Sequence, residues 1–214
     1  YAKQFKFQPR TGRFFFMFGT GSLSRYYDET HTHNLYTARL DGSEVRCLGT
    51  PSDHPMWHPT KEVILANVWA DGGGKRFGLF DAKEGFIGHV GEFEGGGHPS
   101  FDPAGRLIVT DHRWQDDGEG KSRLRLFVVD EGREIVPAVF ANPGWRKSFH
   151  TALRGRREDE TVIAALARMR QVKSTTMVTE PHPAWSPDGR LIAFNSDAEQ
   201  GCQLYLLDVE EALS

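Results

Sequence analysis

Four copies of a short motif recur at nearly constant spacing, each followed by turn and strand signals, and together they predict an all-β propeller of four-stranded blades. The copies are His54-Pro55-Met56-Trp57, His98-Pro99-Ser100-Phe101, Asn142-Pro143-Gly144-Trp145 and His182-Pro183-Ala184-Trp185, with starts 44, 44 and 40 residues apart. A repeat of roughly 40–45 residues holding four short strands is the length of one propeller blade. A weaker fifth copy opens the chain, where Phe7-Gln8-Pro9 matches Trp57-His58-Pro59, Phe101-Asp102-Pro103 and Trp185-Ser186-Pro187. The whole chain, 1–214, is therefore expected to form a single propeller domain with blades starting near residues 4, 54, 98, 142 and 182.

The elements within each repeat follow from local chemistry. The aromatic-x-Pro segment ends a first strand, and Arg10-Thr11-Gly12, Ala104-Gly105 and Asp188-Gly189 supply the turn. Proline presets φ and glycine accepts positive φ, which suits a tight hairpin. A β-rich run follows at Arg13 to Phe18, Val63 to Val68, Leu107 to Thr110 and Leu191 to Phe194. After a polar, glycine-containing loop comes another strand ending in aspartate: Leu35 to Asp41, Phe77 to Asp81, Leu124 to Asp130 and Leu204 to Asp208. Short strands at regular spacing indicate an all-β array rather than βαβ units. Thr161 to Met169 reads equally as strand or helix, because its periodicity does not decide between them. Two arrangements satisfy the blade count: a five-bladed ring with unusual closure, or part of a six- or seven-bladed ring. The second is favoured, since the last repeat has no room for an outermost strand before Ser214.

Composition narrows the partners. Lys and Arg number 26 against 29 Asp and Glu, a net charge of −3, which gives no reason to expect nucleic acid or an anionic membrane. No apolar run approaches the ~18 residues of a membrane span. Cys47 and Cys202 stand far apart and in no metal-binding spacing. They read as buried or half-buried thiols rather than a disulfide, and no signal peptide is visible, so a cytoplasmic location is expected. No Gly-x-Ser-x-Gly elbow occurs, and the triglycine stretches 72–74 and 95–97 do not precede helices, which argues against an esterase nucleophile or a phosphate loop.

The innermost strands of a propeller line a central channel, so equivalent positions in successive blades face one another. The first motif position is Gln4, His54, His98, Asn142 and His182: every one polar, three of them imidazoles. Imidazole with a nearby carboxylate suits a divalent transition metal. Glu180 lies two residues before His182, on the same side of an extended chain, and adds an oxygen. The competing reading is that residues before proline are turn punctuation and the histidines cap strand ends. Asp111, His112 and Arg113 fall where a mouth loop would begin and, with Asn142, are candidate substrate contacts; a structural Asp–His or Asp–Arg contact is the alternative. His31 and His33 read as a loop or blade edge, and His58 and His89 as surface.

The run from Met177 to Gly189, with Leu191 to Asp197 and Leu204 to Leu206, resembles the oligogalacturonate lyases, seven-bladed TolB-like (WD40-like) propellers. These cleave uronate oligosaccharides by β-elimination. The resemblance implies a manganese site in which His98 and His182 match family ligands, Glu180 replaces a third and Met177 a fourth. Manganese prefers oxygen and nitrogen to thioether sulfur, so Met177 is not expected to be a ligand. The same resemblance puts the proton-abstracting base on His54. It puts an assisting arginine at Asn34, where no guanidinium exists, leaving Arg39 or Arg25 as substitutes. A metal-dependent polysaccharide lyase acting on an acidic oligosaccharide is the function implied. The alternative is a non-catalytic propeller that binds protein or ligand.

Overall fold

The computed structural model describes residues 2–8, 10–19, 33–51, 53–71, 73–113, 121–142, 180–196, 198–199 and 202–214, apart from the side chains of His112 and Arg113. These residues form four small antiparallel sheets, arranged as propeller blades. The first contains β1 (Ala2–Gln8), β2 (Arg13–Gly19), β3 (His33–Arg39) and β4 (Arg46–Gly49). The second contains β5 (Asp53–Trp57), β6 (Val63–Trp69), β7 (Lys75–Asp81) and β8 (Gly85–Glu94). The third is built from β9 (Ser100–Phe101), β10 (Leu107–Arg113), β11 (Lys121–Val128) and β12 (Arg133–Ala141). The fourth has three strands, β13 (Ala184–Trp185), β14 (Leu191–Ser196) and β15 (Gln203–Asp208). Each sheet is a simple meander in chain order, so every strand pairs with its sequence neighbour.

Alternation along the strands explains how the sheets pack. On β2, Arg13, Phe15 and Met17 are buried while Phe14, Phe16 and Phe18 are not. The buried set meets Trp57, Ile64 and Phe80 of the second sheet in one core layer. A second layer joins Leu65 and Phe77 to Ile108 and Phe127, and a third joins Val109 and Leu124 to Ile192 and Phe194. The hydrophobic core is thus divided among the spaces between blades. Polar bonds stitch the same seams: Trp57 Nε1 donates to the Lys6 carbonyl at 2.9 Å, and Trp185 Nε1 to the Ser100 carbonyl at 3.2 Å.

That shared tryptophan contact shows the sheets of His98 and His182 to be direct neighbours. Ser196 Oγ, which donates to the Ala141 carbonyl, crosses the same seam. The blade expected to begin near Asn142 falls on 143–179, outside the described residues. Thr161 to Met169 lies there too. A short helix, α1 (Val209–Leu213), follows β15, capped by the Asp208 carboxylate through the N–H groups of Glu210 and Glu211.

Several expectations change in three dimensions. His58 is 6 % exposed rather than on the surface. Its ring packs on Phe101, its Nδ1 accepts from the Thr60 and Lys61 N–H groups, and Gly105 closes over it. A Cβ at Gly105, where φ is +73°, would lie 2.4 Å from His58 Nε2, so this turn requires glycine for space as well as conformation. Cys47 and Cys202 are free thiols, but exposed. His33 is a buried residue of β3, and His31 lies outside the described residues. No helix among the described residues is long and apolar enough to cross a membrane.

Candidate functional site

The first motif position converges as the repeat requires. His54 meets His98 edge-on with ring centroids 4.3 Å apart, and His98 stacks on His182 at 3.6 Å. Gln4 shares their cavity, of about 310 Å³, with Lys6, Met56 and Ser100. Three of the five first positions adopt a left-handed backbone, with φ of +56° at Gln4, +50° at His54 and +43° at His182. The β1–β2 and β5–β6 registers slip at the first two of them. Such a bulge re-aims the side chain away from the regular alternation, at a conformational cost of order 1–3 kcal/mol per residue. The third sheet reaches the same end differently. There the left-handed residue is Gly97, φ +62°, one position before His98.

Gly97 is needed because Asp111 passes beside it. A Cβ there would lie 1.7 Å from the Asp111 carbonyl oxygen. The Asp111 side chain turns back to His98, accepting from the backbone N–H at 2.7 Å and approaching Nδ1 within 2.9 Å. The His182 N–H adds a third bond at 3.2 Å. Burial alone would raise the carboxyl, but the hydrogen bonds and charge of His98 and the backbone N–H groups outweigh it and hold it at about 2. A carboxylate on Nδ1 turns Nε2 of the same ring outward as a lone-pair donor, the arrangement typical of metal-binding histidines.

His98 Nε2 faces Glu180 and His182. Glu180 Oε2 lies 3.8 Å from it and 2.9 Å from His182 Nε2. One donor atom from each of these residues falls within a 4.8 Å span, and no other such group occurs among the described residues. Ligands about 2.0–2.2 Å from one ion sit at separations of this order. Two imidazoles and one carboxylate with the remaining positions open suit manganese, iron or zinc. The donor set fits a divalent metal.

The other candidates separate by depth. Asp111, expected among the substrate contacts, is 1 % exposed and lies behind His98, its oxygens directed at His98 and His182. Asn142 is fully buried and donates to Ser122 Oγ rather than facing the cavity. His112 and Arg113 extend β10, paired with Arg123 and Ser122, instead of starting a loop. Asn34 lies in β3 opposite Phe18. Arg39 is at the far end of that sheet, across from Arg13 and 3.4 Å from Glu44, so it does not replace the missing guanidinium. Arg25 and Met177 fall outside the described residues.

Solved structures share the fold of this chain. A manganese complex of oligogalacturonate lyase superposes with a TM-score of 0.68 at 18 % identity, over 100 % of this chain and 50 % of that one. An oligogalacturonate lyase from Vibrio parahaemolyticus gives 0.65 at 15 %, covering 99 % and 50 %. TolB from Acinetobacter baumannii gives 0.60 at 16 %, covering 94 % and 40 %. The chain has the β-propeller fold of oligogalacturonate lyase and TolB. It spans half the length or less of these three structures. No protein-family model and no curated relative matches the sequence.

Sequence reasoning named Asp111 but missed that it belongs to a second row of residues behind the first. Thirteen positions after Gln4, His54, His98 and His182 stand Met17, Asn67, Asp111 and Asn195. Asn67 donates to Asp53 Oδ1 at 2.7 Å and to the Gly97 carbonyl, and accepts from the Gly96 N–H. Asn195 donates to the Glu180 carbonyl at 3.5 Å. The constant offset was present in the sequence. Lys6 was also missed, although it lies two residues beyond Gln4 on the same strand.

Proposed function

We propose that the chain carries the active centre of a metal-dependent polysaccharide lyase that cleaves uronate-containing oligosaccharides, of the oligogalacturonate type, by β-elimination. One observation carries this reading: a His98–Glu180–His182 donor set backed by a buried carboxylate, with a further imidazole, His54, against its edge in the same cavity. Manganese is the ion favoured, and its presence would stabilise the negative charge that develops when a uronate loses its C5 proton.

The chain's own residues divide the remaining work. His98, Glu180 and His182 would hold the ion, and Asp111 fixes the tautomer of His98. His54 takes the C5 proton, for which a neutral imidazole is suited near neutral pH. The electron pair of the C5–H bond forms the C4–C5 double bond while the C4–O bond breaks, and the departing oxygen takes up a proton. No attacking water or second carboxylate is needed, which separates this chemistry from glycoside hydrolysis.

The test is growth of the unsaturated-uronide absorbance when the protein and manganese are incubated with oligogalacturonate, beside a His54→Ala variant. Activity in the parent and its loss in the variant support the assignment. Equal activity, or equal silence with manganese bound, leaves a non-catalytic binding propeller as the reading.

A further inference from the structure

The cavity contains a cation, Lys6, whose charge no acid among the described residues neutralises. Lys6 lines it together with His54, His98 and His182. Its ammonium donates to the Pro55 carbonyl at 3.0 Å and lies 3.6 Å from Met56 Sδ. Among the described residues no carboxylate pairs with it. Other sheltered cations do have acids: Lys75 holds Asp53 at 2.6 Å, Arg125 holds Glu134 at 2.6 Å, and Arg13 holds Glu44 and Glu62. Burial depresses the Lys6 ammonium from its ordinary value, which marks a charge partly removed from water without a counter-ion. Neither a carbonyl nor a thioether neutralises it.

Position gives this charge a purpose. Lys6 belongs to the first sheet, His54 to the second, and the His98–Glu180–His182 set to the third and fourth. These groups thus come from a row of successive sheets around one cavity, with the sheet of His54 between those of the donor set and the lysine. With a divalent ion in place, Glu180 and Asp111 balance its two charges, and Lys6 remains as the excess positive group. An acidic ligand spanning the row meets the ion at one end and an ammonium at the other. A neutral ligand leaves the ammonium unmatched.

Building on the lyase reading, we infer that Lys6 receives a carboxylate of the bound ligand and sets the preference of the cavity for an acidic over a neutral sugar. A charge-assisted hydrogen bond in a sheltered site is stronger than a neutral one, and loss of one such bond corresponds to roughly tenfold or more in affinity.

The experiment is calorimetric titration of trigalacturonate and of its fully methyl-esterified form, with manganese present, in a His54→Ala background where proton abstraction cannot consume the ligand. The parent is expected to prefer the acid about tenfold or more. Lys6→Met is expected to lose about tenfold of that preference, the remainder belonging to the ion, Lys6→Arg to keep it, and manganese affinity to stay the same in all three. A Lys6→Met protein that discriminates as strongly as the parent overturns the inference, as does a parent that binds both ligands equally or neither. Loss of manganese affinity along with the preference also overturns it, because Lys6 would then be shaping the site rather than meeting the ligand. Binding preference is read without turnover, so this inference and the lyase assignment fail separately.

Discussion

The second and third sheets place a histidine at the same repeat position and treat it in opposite ways. In the third, the residue thirteen positions on is Asp111, and its carboxylate grips the His98 ring. In the second, the equivalent residue is Asn67, whose side-chain amide serves Asp53 and the backbone at Gly96 and Gly97. Asp53 in turn is paired with Lys75. Burial would raise its carboxyl, but His54, Lys75 and Asn67 together hold it below the usual range. One imidazole is thereby locked with an outward lone pair, as a metal ligand requires. The other has a negative charge beside it in the chain, which favours holding a proton once one is taken. On the proposed lyase reading, a single amide-to-acid difference in the supporting row divides a ligand from a base.

The largest effect that tests this comparison is steric. Gly97→Ala would drive a methyl group into the Asp111 backbone at positive φ, and should cost roughly 3–5 kcal/mol in urea denaturation. His54→Gly should lie within about 1 kcal/mol of wild type, because glycine relieves the left-handed strain that histidine bears there. Comparable losses in the two variants would mean that the sheets do not differ as described.

Metal affinity should separate the supporting residues next. Asp111→Asn is expected to weaken manganese binding about 10–100-fold by calorimetry, as loss of an outer-sphere carboxylate does. Asn67→Ala should leave it within about threefold, since the amide touches no ligand of the donor set. A matched loss in both would place Asn67 within the metal site's support.

Acid should act through Asp111 in the metal-free protein. Its folded-state pKa, about 2, lies below the unfolded value of 3.8, so the stabilisation is present above 3.8 and disappears as pH falls through 2. The full contribution corresponds to about 2 kcal/mol. Urea midpoints of wild type should therefore fall across that window, and those of Asp111→Asn should fall less. Asn67→Ala should also cost stability, about 1–3 kcal/mol, because the buried amide is what serves Asp53 Oδ1, the Gly97 carbonyl and the Gly96 N–H.

Much of the architecture was legible because its signals are local. The aromatic-x-Pro-x-Gly turn and the strand runs at Arg13, Val63, Leu107 and Leu191 reappear where expected, since proline, glycine and alternating apolar residues restrict the backbone whatever surrounds them. The strand from Leu124 was read to Asp130, but it ends at Val128, where a 3-10 turn over Val129–Glu131 closes on Gly132. Convergence of His54, His98 and His182 was also legible, because the repeat fixes which residues share a ring position. The burial of His58 was not, since it depends on Phe101 and Gly105 of the next sheet.

By itself the sequence determined the all-β class, the blade period and the row of imidazoles, all consequences of spacing along one chain. Only the tertiary structure decided that the sheets of His98 and His182 touch, that Asp111 is a buried clamp on His98 rather than a group at the mouth, and that Lys6 enters the cavity without an acid beside it among the described residues. Those facts depend on which atoms meet across the seams between blades. Burial, hydrogen-bond direction and charge pairing are properties of such meetings, and a residue's own neighbours in the chain do not specify them.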